Sequence, residues 1–471
     1  MEERQGVEAQ SAVLTRDLRL PDLVLSQITM VVGSTWVGTA GKLGAIHPFY
    51  WLFAGSFFFV PLAVVVVFLN RRMALEGGLY QWAKYGLGEV WGFLVAYNLW
   101  VYTIVILSSL GLETTTFLSY AFGPRAAWMA ESRPFIAVFS VAFTTALAAL
   151  TVAGLRLGRW LHDLGGLARL VAYAAILALA AAAFFGGRLP PSNAAAAVAA
   201  PVFSLYSLNI LGKMGFGAFS GFEYMAIFAG ESPDPARSIS RSVVIAAPIV
   251  LLMFTFGTAS VLAFVPPAEI DLIAPIPQAI SRGAAATLGV GFLAPVVALV
   301  LVLGNVGYGA AAFAGVTRLP MVAGWDGLLP AWFSKLHPTR RTPTHSILFV
   351  AAATLVIGLG GTAGVRSQEA YQLLGSVALI LYALTYLAMF AIPLACAALG
   401  ASRAVKLAAL SGLAMTLLFI VLSVFPIVQT ESRAAFTTKV ILGIVVANVV
   451  GIGLYVFAKR DARRRERAAL E

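Results

Sequence analysis

Two glycine clusters carry the residues whose spacing points to chemistry. The first, Gly33-Ser-Thr-Trp-Val-Gly-Thr-Ala-Gly41, interrupts an apolar run that begins near Leu20; the second, Gly215-Phe-Gly-Ala-Phe-Ser-Gly221, interrupts one that begins near Phe203. A break in an apolar helix frees backbone N–H and C=O groups, each costly in hydrocarbon, so it persists where those groups line a cavity or grip a ligand. Glycine permits the non-helical dihedrals and a close backbone approach. N–H groups at Gly38, Thr39, Ala40 and Gly41 would face a carboxylate at a positive helix end. Carbonyls near Phe216, Gly217, Ala218 and Phe219 would accept from an ammonium. Together they would recognise a zwitterion; the alternative for each cluster is close helix packing on small residues.

Ionisable residues inside apolar segments form the second group. Arg169 lies about ten residues into its segment, roughly 15 Å by helical rise, near the midplane. A charge there costs about 3 kcal/mol on insertion scales, so it calls for a function, unless the side chain reaches the cytoplasmic surface. Glu223 follows the second cluster and could carry a proton, pair with a cationic substrate, or cap freed N–H groups. Glu113 and Lys213 could pair in an outer vestibule, and Lys42 could attract anions or pair with an acid, with snorkelling as the alternative for Lys42 and Glu113. Tyr97, Trp100 and Tyr102 have a spacing that suits either a cavity wall or an interfacial belt. Asn305, Tyr308 and Tyr382 are pocket candidates by topology.

The elements that must position these residues follow from composition. The chain has 471 residues, 60% hydrophobic and 11% charged, with mean hydropathy +0.88; soluble proteins carry about 25% charged residues. Apolar runs predict an all-α polytopic membrane protein with helices at 20–46, 48–69, 88–120, 134–154, 159–185, 203–230, 242–265, 288–317, 344–362, 371–398, 405–427 and 437–458. With both termini cytoplasmic, 22 Lys/Arg fall on the cytoplasmic side against seven outside, and Lys42, Arg169 and Lys213 lie within helices. That asymmetry accounts for the net charge of +11 without nucleic acid as a partner. The basic tail 459–471 fits a segment facing anionic membrane lipid, or one that only fixes topology.

The first 19 residues mix acids and bases and lack a cleavable signal pattern. The single Cys396 excludes an intramolecular disulfide, and His47, His162, His337 and His345 have no metal-ligand spacing. Neither a nucleotide-binding loop nor a nucleophile–base pair is present, so an enzyme, a metal and a cofactor are not expected.

The broken helices are the first and sixth, about 180 residues apart. This spacing predicts a five-helix repeat over 20–185, an inverted second one over 203–398, and two further helices over 405–458, after a cytoplasmic segment 1–19. Short helix-like stretches at Glu76–Tyr85 and Pro275–Arg282 occupy matching links of the two halves.

The chain resembles the amino acid–polyamine–organocation superfamily of permeases from about residue 20 to 400. The resemblance rests on Gly33-Ser-Thr-Trp-Val-Gly-Thr-Ala, on Glu76-Gly-Gly-Leu-Tyr-Gln-Trp with Gly92-Phe93, and on Ala218-Phe-Ser-Gly-Phe-Glu223 running to Gly230-Glu231-Ser-Pro-Asp-Pro235 and Arg237. Thr317-Arg318-Leu-Pro, Leu329-Pro330 and Thr342-Pro343 extend it. It implies the leucine-transporter-type fold, with a substrate carboxylate held at Gly38-Thr39-Ala40. It also implies a cation at Arg169 where sodium sits in sodium-coupled relatives, and Glu223 as a proton carrier or a partner for a cationic substrate. Many relatives place a large aromatic gate where this chain has Gly217, so either Phe216 or Phe219 serves as lid or the pocket is roomier.

The expected function is therefore sodium-independent secondary transport of amino acids across the plasma membrane, the inner membrane of a bacterium, by proton symport or exchange. The alternatives are a polyamine or organic-cation permease, with Glu223 and Glu113 binding the second ammonium, and a non-transporting receptor on the same fold.

Overall fold

The apolar runs fold as helices, the one open-chain form that satisfies its own backbone in lipid. The computed structural model describes residues 18–75, 77–189, 201–289, 291–361, 367–427, 430 and 432–470, and no strand occurs among them. In chain order the helices are α1 (Leu20–Val31), α2 (Ser34–Gly41), α3 (Gly44–Arg72), α4 (Leu79–Leu87), α5 (Glu89–Phe122), α6 (Arg133–Ala153) and α7 (Leu155–Phe185). They continue as α8 (Leu205–Gly212), α9 (Pro235–Leu262), α10 (Pro275–Leu288), α11 (Leu293–Trp325), α12 (Thr344–Gly361), α13 (Ser367–Ala395), α14 (Arg403–Ser423) and α15 (Arg433–Leu470). Among the described residues nine helices are long and apolar enough to cross a membrane; α1 and α2 form a bent pair of 43° that would make a tenth span. Most of the segment 1–19, Glu76 of the link motif and the tail side chains beyond Asp461 lie outside the described residues.

Both expected interruptions are present. Val32 and Gly33 adopt extended backbone between α1 and α2. After α8 the chain widens into a π turn, Lys213–Ala218, and resumes as a 3₁₀ stretch over Phe222–Glu231. Between the two, Gly221 has φ +123°, a left-handed value that a side chain would strain.

Small residues set how closely the elements around the first break approach. A methyl group on Gly307 of α11 would meet Gly165 Cα at 2.5 Å, and one on Gly166 would meet the Leu25 carbonyl oxygen at 2.5 Å. The α7 backbone is thus wedged between α1 and α11, and Thr29 Oγ1 donates to the His162 carbonyl across that contact (2.9 Å). Arg169, one turn beyond Gly165, emerges on the same face. Two ion pairs hold the opposite end of α11. Arg318 Nε donates to Glu231 (2.6 Å), both groups being buried, and Lys84 of α4 pairs with Asp326 (2.8 Å). Tyr80 also donates to Asp326; burial first, then that neighbouring carboxylate, raises the phenol's pKa and keeps it a donor.

Candidate functional site

The first break is closed from one side by α7. Arg169 donates a guanidinium N–H to the freed Val32 carbonyl, and Tyr173, one turn further along the same face, donates to the Gly33 carbonyl (3.2 Å). Carbonyls that a broken helix leaves without partners are thereby satisfied. The Arg169 guanidinium also lies over the Tyr308 ring of α11 (5.5 Å), and Glu113 of α5 is the acid whose charge acts on it. Arg169 therefore links α1, α7, α11 and α5 and ends within the protein, not at the cytoplasmic surface.

At the second break Gly217 provides space for an indole. A methyl group there would collide with the Trp36 ring, its Cζ3 lying at 2.8 Å, and one on Gly33 would meet Trp36 Cδ1 at 3.0 Å. Trp36 thus rests between glycines of both interruptions. Neither Phe216 nor Phe219 forms a lid. Phe216 packs among Phe58, Tyr382, Tyr386 and Phe419, and Phe219 stacks on Phe59 (4.2 Å) beside Trp51 and Phe254.

Between the breaks lies a cavity of ≈ 160 Å³ walled by Gly33, Thr35, Trp36 and Thr39 on one side and Lys213, Gly217 and Ser220 on another. Tyr102, Ser109 and Glu113 of α5, Arg169, Tyr308, and Tyr371, Gln372 and Ser376 of α13 complete it. The wall is mixed in polarity, with aromatic surface, hydroxyls and three charged side chains, which suits a small polar ligand with an apolar portion.

Of the residues singled out from sequence, Thr39, Tyr102, Glu113, Arg169, Lys213, Gly217 and Tyr308 line this cavity. The others stand elsewhere. The helix restarts at Ser34, not near Gly38, so the N–H groups at its exposed end belong to Gly33, Ser34 and Thr35. Gly38 and Gly41 are packing positions against Pro275 and Ile270, and Ala40 and Ala218 are buried between helices. Asn305 donates to Thr114 of α5 (3.3 Å). Tyr97 turns toward α15, against Gly451. Lys42 donates to the Ala268 carbonyl in the link before α10 (3.2 Å).

Glu223 lies behind the cavity wall. It is 0% exposed, and Tyr382 and Tyr386 of α13 donate to its two carboxylate oxygens. Tyr386 in turn accepts from the Gly221 N–H (2.9 Å), so the acid and its tyrosines clamp the second break. Tyr382 stacks on the cavity residue Tyr102 (4.0 Å) and places Glu223 one side chain away from the cavity. Glu113 and Lys213 do not pair: Lys213 donates to Ser423 of α14 (3.3 Å), and no ion pair joins the two acid and base groups among the described residues. Sequence reasoning missed Trp36, Thr35, Tyr371 and Gln372. Trp36 stood inside the first glycine cluster, and its bulk amid small residues was the available signal.

A family model described as amino acid permease matches residues 18–455. The chain belongs to the amino acid permease family. Its relatives include an uncharacterized transporter of Mycobacterium tuberculosis, 28% identical over 382 residues that cover 79% of each chain. Another uncharacterized transporter, from Legionella pneumophila, is 23% identical over 379 residues, 79% of this chain and 80% of that one. The human large neutral amino acids transporter small subunit 2 is 23% identical over 350 residues, 73% of this chain and 61% of that protein. The permease is accordingly a multi-pass membrane transporter of the amino acid type and not an enzyme.

Proposed function

We propose that this permease is a sodium-independent secondary transporter of amino acids that works by alternating access around the Trp36–Arg169 cavity. The observation that carries this reading is the Arg169 guanidinium on the Val32 carbonyl. It supplies a tethered cation at the break, where a carrier driven by sodium would need a dissociable one. The zwitterion is bound by two sets of backbone groups. Its carboxylate meets the N–H groups of Gly33, Ser34 and Thr35 at the start of α2, and its ammonium meets carbonyls freed between Ala218 and Gly221. Trp36 serves as the lid. The polyamine alternative loses weight because Glu223 lies outside the cavity and Glu113 faces Arg169.

In this reading the twelve helical segments form two inverted five-helix repeats, 20–185 and 203–398, with 405–458 appended. The interruptions at 32–33 and 219–221 and the short helices α4 and α10 support it by their matching places. Both termini face the cytoplasm, the membrane is the bacterial inner membrane, and the ion pairs Arg318–Glu231 and Lys84–Asp326 close the inner side while the cavity opens outward.

Uptake by the purified permease in liposomes should be unchanged when choline replaces sodium; uptake that requires sodium overturns the assignment of Arg169. Coupling runs through a proton at Glu223 or through exchange of a second amino acid. Glu223→Gln leaves one of Tyr382 and Tyr386 without an acceptor, a cost of about 1–3 kcal/mol. If Glu223 carries the proton, the variant should lose the pH dependence of net uptake and retain exchange. Pumping with an unaltered pH profile would leave Glu223 as the clamp of the second break alone.

A further inference from the structure

Lys213 is a buried cation on the cavity wall, and among the described residues no acid pairs with it. It opens the π turn Lys213–Ala218, whose wide i→i+5 closure places it one turn from Gly217, so its side chain shares the cavity side with the residue under Trp36. The residue is 5% exposed. Its ammonium has three protons to donate and nothing to accept. One goes to Ser423 Oγ (3.3 Å), and the Phe419 ring lies 5.9 Å away. No carboxylate reaches ion-pair distance of it among the described residues.

The other charged groups near the cavity have polar or charged partners of their own. Arg169 has Glu113 as its acid, and Glu113 has Arg169 as the charge that acts on it. Glu223 is held by two tyrosines outside the cavity. Lys42 has Asp271 as its charged neighbour, in the link before α10. With a zwitterion bound at the two breaks, the substrate backbone adds no net charge. The Lys213 ammonium then has no carboxylate beside it among the described residues, an arrangement that costs several kcal/mol unless it gives up its proton or a counter-charge arrives. An apolar side chain would leave it so. A carboxylate on the substrate side chain would complete it, with the two unused Lys213 donors directed at it.

We infer that Lys213 selects substrates with an anionic side chain, so that the permease carries acidic amino acids, the glutamate and aspartate class. The inference rests on the amino acid reading of the cavity given above and adds the side chain to it. It assigns Lys213 as the specificity residue, while Arg169 and the helix breaks handle the part common to all amino acids.

The test is binding of L-glutamate, L-aspartate, L-glutamine and L-leucine to the purified full-length protein, with uptake of the same four in liposomes. Glutamine has nearly the shape of glutamate without the charge, so the pair isolates the contact in question. The wild type should bind glutamate or aspartate more tightly than glutamine. Lys213→Met should weaken the acidic ligand about thirtyfold while leaving glutamine unchanged, which also shows that the variant is folded. Lys213→Arg should keep the acidic preference.

Preference of the wild type for glutamine or leucine overturns the role of Lys213 and leaves the amino acid reading standing. Equal weakening of glutamate and glutamine by Lys213→Met overturns it too, because the lysine would then hold the α-carboxylate or the fold. Failure of all four to bind overturns the amino acid reading, and this inference with it.

Discussion

Arg169→Ala is expected to reduce transport by more than about a hundredfold while the protein still folds. The substitution removes the donor from the Val32 carbonyl and the countercharge from Glu113 in one step. Leaving a buried acceptor without its charged donor costs about 1–3 kcal/mol, and more where a charge is involved; about 3 kcal/mol already corresponds to more than a hundredfold. Tyr173 still holds the Gly33 carbonyl, so the break itself persists in the variant. Arg169→Lys should recover part of the activity, since an ammonium reaches one carbonyl but cannot also lie flat over Tyr308. Added guanidinium should rescue the alanine variant in part by entering the vacated space. Uptake, thermal unfolding and rescue measured together decide the matter: wild-type uptake by Arg169→Ala would remove Arg169 from the mechanism.

The second large effect is expected at Gly217. A methyl group there runs into the Trp36 indole, so Gly217→Ala must displace either the ring or the π turn. Overpacking of this kind costs about 1–3 kcal/mol, and 2 kcal/mol on the ligand-ready state weakens substrate binding roughly thirtyfold. Trp36→Phe, a smaller ring, should restore binding to Gly217→Ala and loosen it modestly alone. Gly38→Ala is the control, because its methyl group meets Pro275 at 2.9 Å, away from the cavity. It should lower thermal stability by a similar energy and leave the affinity of the remaining folded protein unchanged. Equal affinity in Gly217→Ala and wild type would mean that Trp36 is not the lid.

These two positions also mark how far the sequence could be read. The second interruption was legible because Gly215, Gly217 and Gly221 stand close together in an otherwise apolar run. The first was legible as a region and misplaced by five residues. Gly33, Gly38 and Gly41 are equivalent as letters, and only the three-dimensional neighbours separate one that breaks a helix from two that let helices touch. Arg169 could be found because its cost in lipid calls for a partner, although the identity of that partner, a carbonyl in another helix, is a tertiary fact. Glu223 was legible as a buried acid. Its withdrawal behind Tyr382 was not, because a tyrosine on the tenth predicted helix can face either side of it. Trp36 was not singled out, because nothing in the one-dimensional string shows that an indole of the first cluster packs against a glycine of the second.

The seating of Trp36 between Gly33 and Gly217 has a consequence for inheritance. One side chain acts as the shared pin of two hinges that are far apart in the chain, so the volumes at positions 33, 36 and 217 are constrained as a sum and not one at a time. A descendant that gains bulk at 217 keeps the seat of the indole most easily if 36 shrinks in the same lineage. Routes to a new substrate range therefore favour paired changes at 36 and 217 over a single added methyl group at 217.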